Sequence, residues 1–313
     1  MSKPEVLMIG PYPQWDMEDL ETRYTIHKLW LAEDKDAFIA EHADRIRAIA
    51  TRAELGASAD LMQTLPKLEI VSCYGVGTDA INLGFARNNA IRVTNTPDVL
   101  TDDVADLGMA LMLAAARQLL SGDVYVRDGS WAGANMQLTT RVCGKRVGIV
   151  GMGRIGAAFA RRAAGFDCAI SYFTRSPKPD LPYTFVGDPV ALARQSDFLV
   201  ITLAGGEDTR GIVSREVIEA LGPDGILVNI SRGTTVDEAA LLEALEQKKI
   251  RGAGLDVFLN EPRIDPTFAA LRNTVLQPHH GSGTVETRQA MGKLVRDNLA
   301  AHFAGAPLLT PVA

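Results

Sequence analysis

Three short stretches carry residue types able to move a proton and hold an acid: ISRGTT with Arg232, LDVFLNEP with Asp256 and Glu261, and QPHHGSG with His279 and His280. Histidine titrates near neutrality and can give or take a proton at working pH. A carboxylate bonded to one ring nitrogen fixes the tautomer and favours the imidazolium, and arginine binds a carboxylate with a charge that never titrates away. The chain has only five histidines, so the adjacent pair raises the question of which one does chemistry. Adjacent side chains of an extended segment point to opposite sides, and both cannot readily reach one substrate. A metal reading of the pair lacks a third ligand at a recognisable spacing. A serine-hydrolase reading fails because Ser231 carries no nucleophile-elbow motif. Each residue also has a plainer alternative: Arg232 as a surface charge, Glu261 as a turn initiator before Pro262, His279 as a satisfied structural histidine.

A second chemistry lies upstream. VGIVGMGRIG sets Gly151, Gly153 and Gly156 in a GxGxxG array directly after an apolar run and at the start of an amphipathic one. That context suits a dinucleotide: the first glycine permits a tight turn, the second lets the backbone approach a pyrophosphate, and the third lets helix and strand pack closely. The helix N-terminus supplies N–H groups and a positive dipole end. The next apolar run, AISYF, leads to Thr174, Arg175 and Ser176, with Lys178 close behind. An acidic residue there would bind a ribose 2′-hydroxyl, whereas guanidinium and hydroxyls can bind a 2′-phosphate. The composition of this turn therefore predicts NADPH rather than NADH, the alternative for Arg175 being a solvated loop charge.

Elements must position these groups. VLMIG, IRAIAT, LEIVSCYG and IRVTNT read as buried strands in the first third, followed by VGIV, AISYFT, FLVITL, ILVNIS, GAGLDVF and NTVLQP. Helical patterns such as RIGAAFARRAAG, SREVIEALG and VDEAALLEALEQKK separate the later ones, which implies βαβ units and mostly parallel sheets. The three chemistry-bearing stretches each follow a strand, at the carboxyl ends where functional residues of such sheets lie. Thr101–Gly129 reads as one long apolar helix that packs between domains or against another subunit. The expected domains are residues 1–98 plus 285–313, for substrate, and 99–284, for dinucleotide.

With 313 residues, 47% hydrophobic and 22% charged, the chain is ordinary for a globular protein of two domains. The net charge of −6 offers no general attraction to nucleic acid or anionic membrane, and no apolar run approaches a membrane span. No signal peptide is expected from MSKPEVLMIG, and scattered Cys73, Cys143 and Cys168 fit a reducing cytoplasm.

From GVGTDAIN through GMGRIG, SRGTTVDE and LDVFLNEP to PHHGSGT, the chain resembles the D-isomer-specific 2-hydroxyacid dehydrogenases over essentially its whole length. Within them, GKRVGIVGMGRIG, TRSPK and GSGTVETR look most like NADPH-dependent glyoxylate/hydroxypyruvate reductases, with plant hydroxyphenylpyruvate reductases close. The resemblance implies two Rossmann-like or flavodoxin-like domains with the active site in the cleft between them, and reduction of a 2-oxo acid to a D-2-hydroxy acid. It selects His279, directly after the proline, as proton donor, Glu261 as its carboxylate partner and Arg232 as the group that binds the substrate carboxylate. The N–H groups of Val76 and Gly77 would hold that carboxylate, with Arg52 bordering the site. Arg154, Ile155, Leu203, Thr209, Ile230, Ser231, Asp256 and Gly281 would contact cofactor. The family often has proline after the position of Leu203, where this chain has Ala204-Gly205-Gly206, which leaves that loop's geometry open. Trp131, in DGSWAGANM, implies either a homodimer contact, as in relatives, or local packing beneath a loop. A different class, a dinucleotide-sensing binding protein of the same fold, is the alternative to an enzyme.

Overall fold

The computed structural model describes residues 3–313, which form two compact units: 3–100 with Ser282–Ala313, and Thr101–Gly281. In the first, strands β1 (Glu5–Met8), β2 (Thr25–Lys28), β3 (Ile46–Arg52), β4 (Ile70–Tyr74) and β5 (Arg92–Thr94) pair parallel in the order β2-β1-β3-β4-β5. This is a flavodoxin-like order. β1, β3 and β4 are apolar and almost wholly buried, as strands covered on both faces must be. The helix Val285–Phe303 packs on β4 and on the helix Gln14–Arg23, where Arg296 pairs with the buried Asp16. Beyond it the chain returns to β5: the Val93 N–H donates to the Ala313 carbonyl at 2.8 Å, and the Val312 N–H to the Val93 carbonyl at 2.7 Å.

The second unit contains β6 (Arg146–Val150), β7 (Ala169–Phe173), β8 (Thr184–Phe185), β9 (Phe198–Ile201), β10 (Ile226–Asn229), β11 (Gly252–Leu255) and β12 (Thr274–Leu276). Every pairing is parallel, in the order β12-β11-β10-β9-β6-β7-β8. The order reverses at β6, so the chain leaving β6 enters the crevice where such sheets bind ligands. A core of Val150, Leu199, Ile201, Leu227, Leu241 and Leu255 fills one face. The helix Thr101–Arg117 packs on β10 and β11, and does so closely because its neighbours are small. A Cβ on Gly108 would lie 2.7 Å from Ile230 Cδ1, and one on Gly254 would lie 2.9 Å from Leu111 Cβ.

The expected single helix over Thr101–Gly129 is in fact two. Gln118 adopts a left-handed conformation (φ 49°), and the second helix, Leu119–Arg127, is bent by 57° from the first. The first buries a face that includes Val104, Met109, Leu111 and Met112, whereas the second buries no residue. The strands β2 and β8 also escape the sequence pattern. Among the described residues no single helix is long and apolar enough to cross a membrane.

Candidate active site

The glycine loop follows β6. Gly151 has φ +101°, where a side chain would be strained, and a Cβ there would sit 2.9 Å from the Leu203 nitrogen. Gly156 lies in the first turn of the helix Arg154–Ala164, and its Cβ would meet the Gly151 carbonyl at 2.2 Å and Thr202 Oγ1 at 2.8 Å. The Thr202 hydroxyl donates to the same carbonyl and locks the turn. A Cβ on Gly153 would meet nothing within 4 Å, and no side chain caps the helix N-terminus. Open space before Gly153, a close helix–strand approach at Gly156 and an uncapped positive helix end fit a bound pyrophosphate. Arg154 is exposed and Ile155 half-buried beside them.

After β7, the Thr174 hydroxyl donates to the Ser176 carbonyl at 2.6 Å, and Arg175 and Ser176 are exposed. Arg175, 91% exposed, lies 3.5 Å from Asp208, itself 84% exposed. The sequence reading missed Asp208, which comes from a different loop. The Thr209 hydroxyl donates to the Ala204 and Gly206 carbonyls at 2.8 and 3.1 Å, closing the loop that lacks the family's proline.

After β10, a buried network fixes the turn that carries Arg232. Asn229 Oδ1 accepts the Ser231 N–H (3.0 Å) and hydroxyl (2.9 Å), Asn229 Nδ2 donates to the Arg232 carbonyl (3.0 Å), and Thr235 donates to that carbonyl at 2.7 Å. Asn229 and Thr235 were not singled out from sequence, although a polar residue closing an otherwise apolar strand was an available signal for Asn229. The guanidinium of Arg232 is half-buried and donates to the Ser231 carbonyl at 2.7 Å. Ile230 turns its side chain into the interior against Gly108 and is 5% exposed.

β11 and β12 are neighbours, with Leu255 opposite Leu276, so the loops that follow them meet. Glu261 Oε2 lies 2.6 Å from His279 Nδ1, and Oε1 accepts the Phe258 N–H at 2.7 Å. Burial would raise the Glu261 pKa, but the bond from His279, that ring's charge, the Phe258 N–H and nearby Arg232 together hold it below the usual range. With Nδ1 engaged, Nε2 is the ring nitrogen that can face a substrate.

The segment bearing the two histidines is not extended as expected from sequence. His279 sits at φ 52°, in a turn clamped by Asp256. The Asp256 carbonyl accepts the His279 N–H at 2.8 Å, Oδ1 the His280 N–H at 2.6 Å and Oδ2 the Gly281 N–H at 2.9 Å. Asp256 is 2% exposed, and burial raises its pKa against the bonds from His280 and Gly281. The turn still separates the pair: His279 points to Glu261, while His280 is exposed. Among the described residues no group of three or more His, Cys, Asp or Glu could hold a metal ion.

In the first unit, Val76 and Gly77 follow β4. Their carbonyls accept bonds from Asn95 Nδ2 (2.9 Å) and Cys73 Sγ (3.6 Å), and Gly75 before them has φ +151°. Arg52, ending β3, pairs with Glu54 at 2.5 Å. The structure thus brings Arg232, Asp256, Glu261 and His279 together in the second unit, and Val76, Gly77 and Arg52 stand on the first.

Residues 109–281 match the model of the D-isomer specific 2-hydroxyacid dehydrogenase NAD-binding domain. The chain is 50% identical over 307 residues to a hydroxyphenylpyruvate reductase of Plectranthus scutellarioides, covering 98% of each. Among solved structures it is similar to a 2-hydroxyacid dehydrogenase of Ketogulonicigenium vulgare Y25 (56% identity, TM-score 0.93, 100% and 99% of the two chains). It is also similar to an NADPH-dependent glyoxylate/hydroxypyruvate reductase of Sinorhizobium meliloti, determined with NADP and malonate (38% identity, TM-score 0.91, 100% and 97%). The chain belongs to the D-isomer-specific 2-hydroxyacid dehydrogenase family. It is an oxidoreductase.

Proposed function

We propose that the protein uses NADPH to reduce small 2-oxo acids, glyoxylate and hydroxypyruvate foremost, to D-2-hydroxy acids. The observation that carries this reading is the 2.6 Å Glu261–His279 pair beside Arg232, in the same unit as a glycine loop shaped for a dinucleotide. The bound nicotinamide supplies the hydride. Arg232 binds the substrate carboxylate and polarises the carbonyl, and His279 delivers a proton from Nε2 to the carbonyl oxygen. Glu261 accepts the Nδ1 proton, and its charge favours the imidazolium, the form in which Nε2 also carries a proton to give. The N–H groups of Val76 and Gly77 add donors for the carboxylate, and Arg52 is assigned a bordering role.

Gly151, Gly153, Arg154, Ile155 and Gly156 are assigned to the pyrophosphate, and Thr174, Arg175 and Ser176 to the 2′-phosphate. Leu203, Thr209, Ser231, Asp256 and Gly281 are assigned the remaining cofactor contacts, with Ile230 contributing through its backbone because its side chain is turned inward. Asp256 spends three acceptances on the His279 turn, and a carboxylate has lone pairs to spare for the nicotinamide amide. A homodimer is part of the proposal: Trp131 is 64% exposed, and the helix Leu119–Arg127 presents Leu119, Leu120, Val124 and Val126 to solvent. Three free thiols favour a reducing cytoplasm.

The test is a set of initial rates with NADPH and NADH, each against glyoxylate, hydroxypyruvate, pyruvate and phenylpyruvate. NADPH-preferred turnover of the first two is expected. The 50% identity to a hydroxyphenylpyruvate reductase makes preference for phenylpyruvate the second reading, with the same chemistry and a roomier pocket. Tight NADPH binding without turnover of any acid would overturn the enzyme reading in favour of a sensor.

A further inference from the structure

We infer that Glu238 is a positioning residue for the proton-transfer pair, holding in place the loop that carries Glu261 and, through Glu261, the ring of His279. The inference rests on the reading of His279 as proton donor. Glu238 is the first residue of the helix Glu238–Glu246, but it does not serve as the cap, because Asp237 already accepts the Ala240 N–H at 3.0 Å. Its carboxylate turns instead to the neighbouring loop, where Oε2 accepts the Leu259 N–H at 2.8 Å. The preceding N–H, that of Phe258, is accepted by Glu261 Oε1 at 2.7 Å. Two consecutive amides of one loop are thus held by two different glutamates, and the second has its other oxygen on His279.

The turn bearing Arg232 also packs tightly on this loop. A Cβ on Gly233 would lie 2.0 Å from the Phe258 carbonyl carbon, so only glycine allows this approach. The Phe258 ring packs edge-on against Phe268 at 5.4 Å, which leaves the loop little freedom while the Leu259 amide stays bound. Release of that amide frees the segment whose position sets the Glu261–His279 distance. Glu238 is half-buried close to other carboxylates, and burial, Asp265 and Glu261 all work against its charge. A helix surface would not place an anion there without a use for its acceptor. Among the described residues, Arg232 after β10, Asp256 after β11 and Glu238 on the helix act on the pair, and Asp265, in the loop beyond Glu261, acts on Glu238.

The experiment compares Glu238→Gln and Glu238→Ala by kcat and KM across pH with saturating NADPH and glyoxylate. NADPH affinity is followed by fluorescence and stability by thermal melting, with His279→Ala alongside. Glutamine keeps an oxygen able to accept the Leu259 N–H, whereas alanine does not. Glu238→Ala should lower kcat about 10-fold, since small misplacements at a reacting centre are expensive. It should also move the basic limb of the profile to lower pH, leaving NADPH affinity unchanged. Glu238→Gln should restore both to within about twofold of the parent protein. A lower melting temperature for Glu238→Ala with kcat and pH limb unmoved would overturn the proposal, and so would equal shifts in both variants, which would mark a charge effect. Turnover surviving in His279→Ala would defeat the underlying reading, whereas its loss beside an unmoved Glu238→Ala profile would defeat this proposal alone. Glu238→Asp, one methylene shorter, replaces the alanine variant if that one does not fold.

Discussion

Replacing Glu261 with glutamine keeps the shape of the side chain and removes its charge, which strips His279 of its anionic partner. The carboxylate accepts two N–H bonds, from Phe258 at 2.7 Å and from His279 Nδ1 at 2.6 Å. An amide has only one acceptor oxygen, so one of those donors must face an NH2 group. If the Phe258 bond is kept, the amide donates to Nδ1 and favours a ring with no proton there. Two unit charges about 4 Å apart attract by about 4 kcal/mol at an effective dielectric near 20. Here the side chains are 32% and 24% exposed, so solvent takes part of that. A charge-assisted hydrogen bond contributes about 1.5–3 kcal/mol, which is the better measure of the loss. At about 1.4 kcal/mol per factor of ten, losing that bond weakens the hold of the partner on the protonated ring about 10- to 100-fold. Because protonated His279 is the donor, activity falls as pH rises, and in Glu261→Gln it falls earlier. The parent carboxylate, held low by its neighbours, stays ionised throughout this range. Following NADPH oxidation with glyoxylate from about pH 5 to about pH 9, which brackets the unperturbed histidine value, kcat/KM should drop roughly 10- to 100-fold above neutrality. Near the acid end it should stay within roughly threefold. A uniformly slower enzyme with an unshifted basic limb would refute the reasoning.

Three further outcomes are expected from other parts of the molecule. Gly156→Ala forces a Cβ against the Gly151 carbonyl and should cost about 1–3 kcal/mol of stability, as overpacking does, whereas Gly153→Ala should leave melting unchanged and weaken only NADPH binding; equal melting temperatures would contradict the packing argument. Arg175→Asp removes a guanidinium bond to the 2′-phosphate worth about 1.5–3 kcal/mol, so the ratio of NADPH to NADH affinity should fall about 10- to 100-fold in fluorescence titrations, and an unchanged ratio would return Arg175 to a solvated loop charge. The hydrogen bond from Arg146 holds the Asp197 carboxyl below its usual range, despite partial burial that opposes this. The stabilisation is therefore present above the unfolded carboxylate value and lost as pH falls through the lower folded one. Asp197→Asn should melt about 2–4 °C lower near neutrality, for a loss of about 1 kcal/mol, with the difference closing in acid.

The parallel α/β plan is legible because its central strands are short apolar runs, VGIV, FLVI and ILVN, whose every residue is buried or nearly so. β2 is not legible: TIHK sits at a sheet edge with no fully buried residue, so burial imposes no pattern on it. The break at Gln118 is hidden because apolar residues continue through it, and Leu119 and Leu120 look like more of the same helix although they face solvent. The residues of the site are readable from their motifs, yet their mutual support is not. Glu261 and His279 meet only because β11 and β12 pair, and histidine adopts a left-handed backbone too seldom for its type to announce one at His279. Asp256 reads as a cofactor contact, while its three hydrogen bonds to the following turn depend on a register set by the sheet. Asp208, opposite Arg175, comes from a loop whose course no local pattern specifies.

The first unit is assembled from two stretches of chain separated by the whole of the second. A polypeptide leaving the ribosome therefore completes its units out of order. Residues 101–281 form one uninterrupted stretch and can close as soon as they emerge, in the way domains fold as units during synthesis. The first hundred residues, although made earlier, wait for Met291, Val295 and Leu299 of the last helix to cover β4 and the helix Gln14–Arg23. They wait longer still for Val312 and Ala313 to pair with β5. Throughout that interval the oldest part of the nascent chain keeps an uncovered apolar face, and it is there that chaperones would engage a half-made molecule.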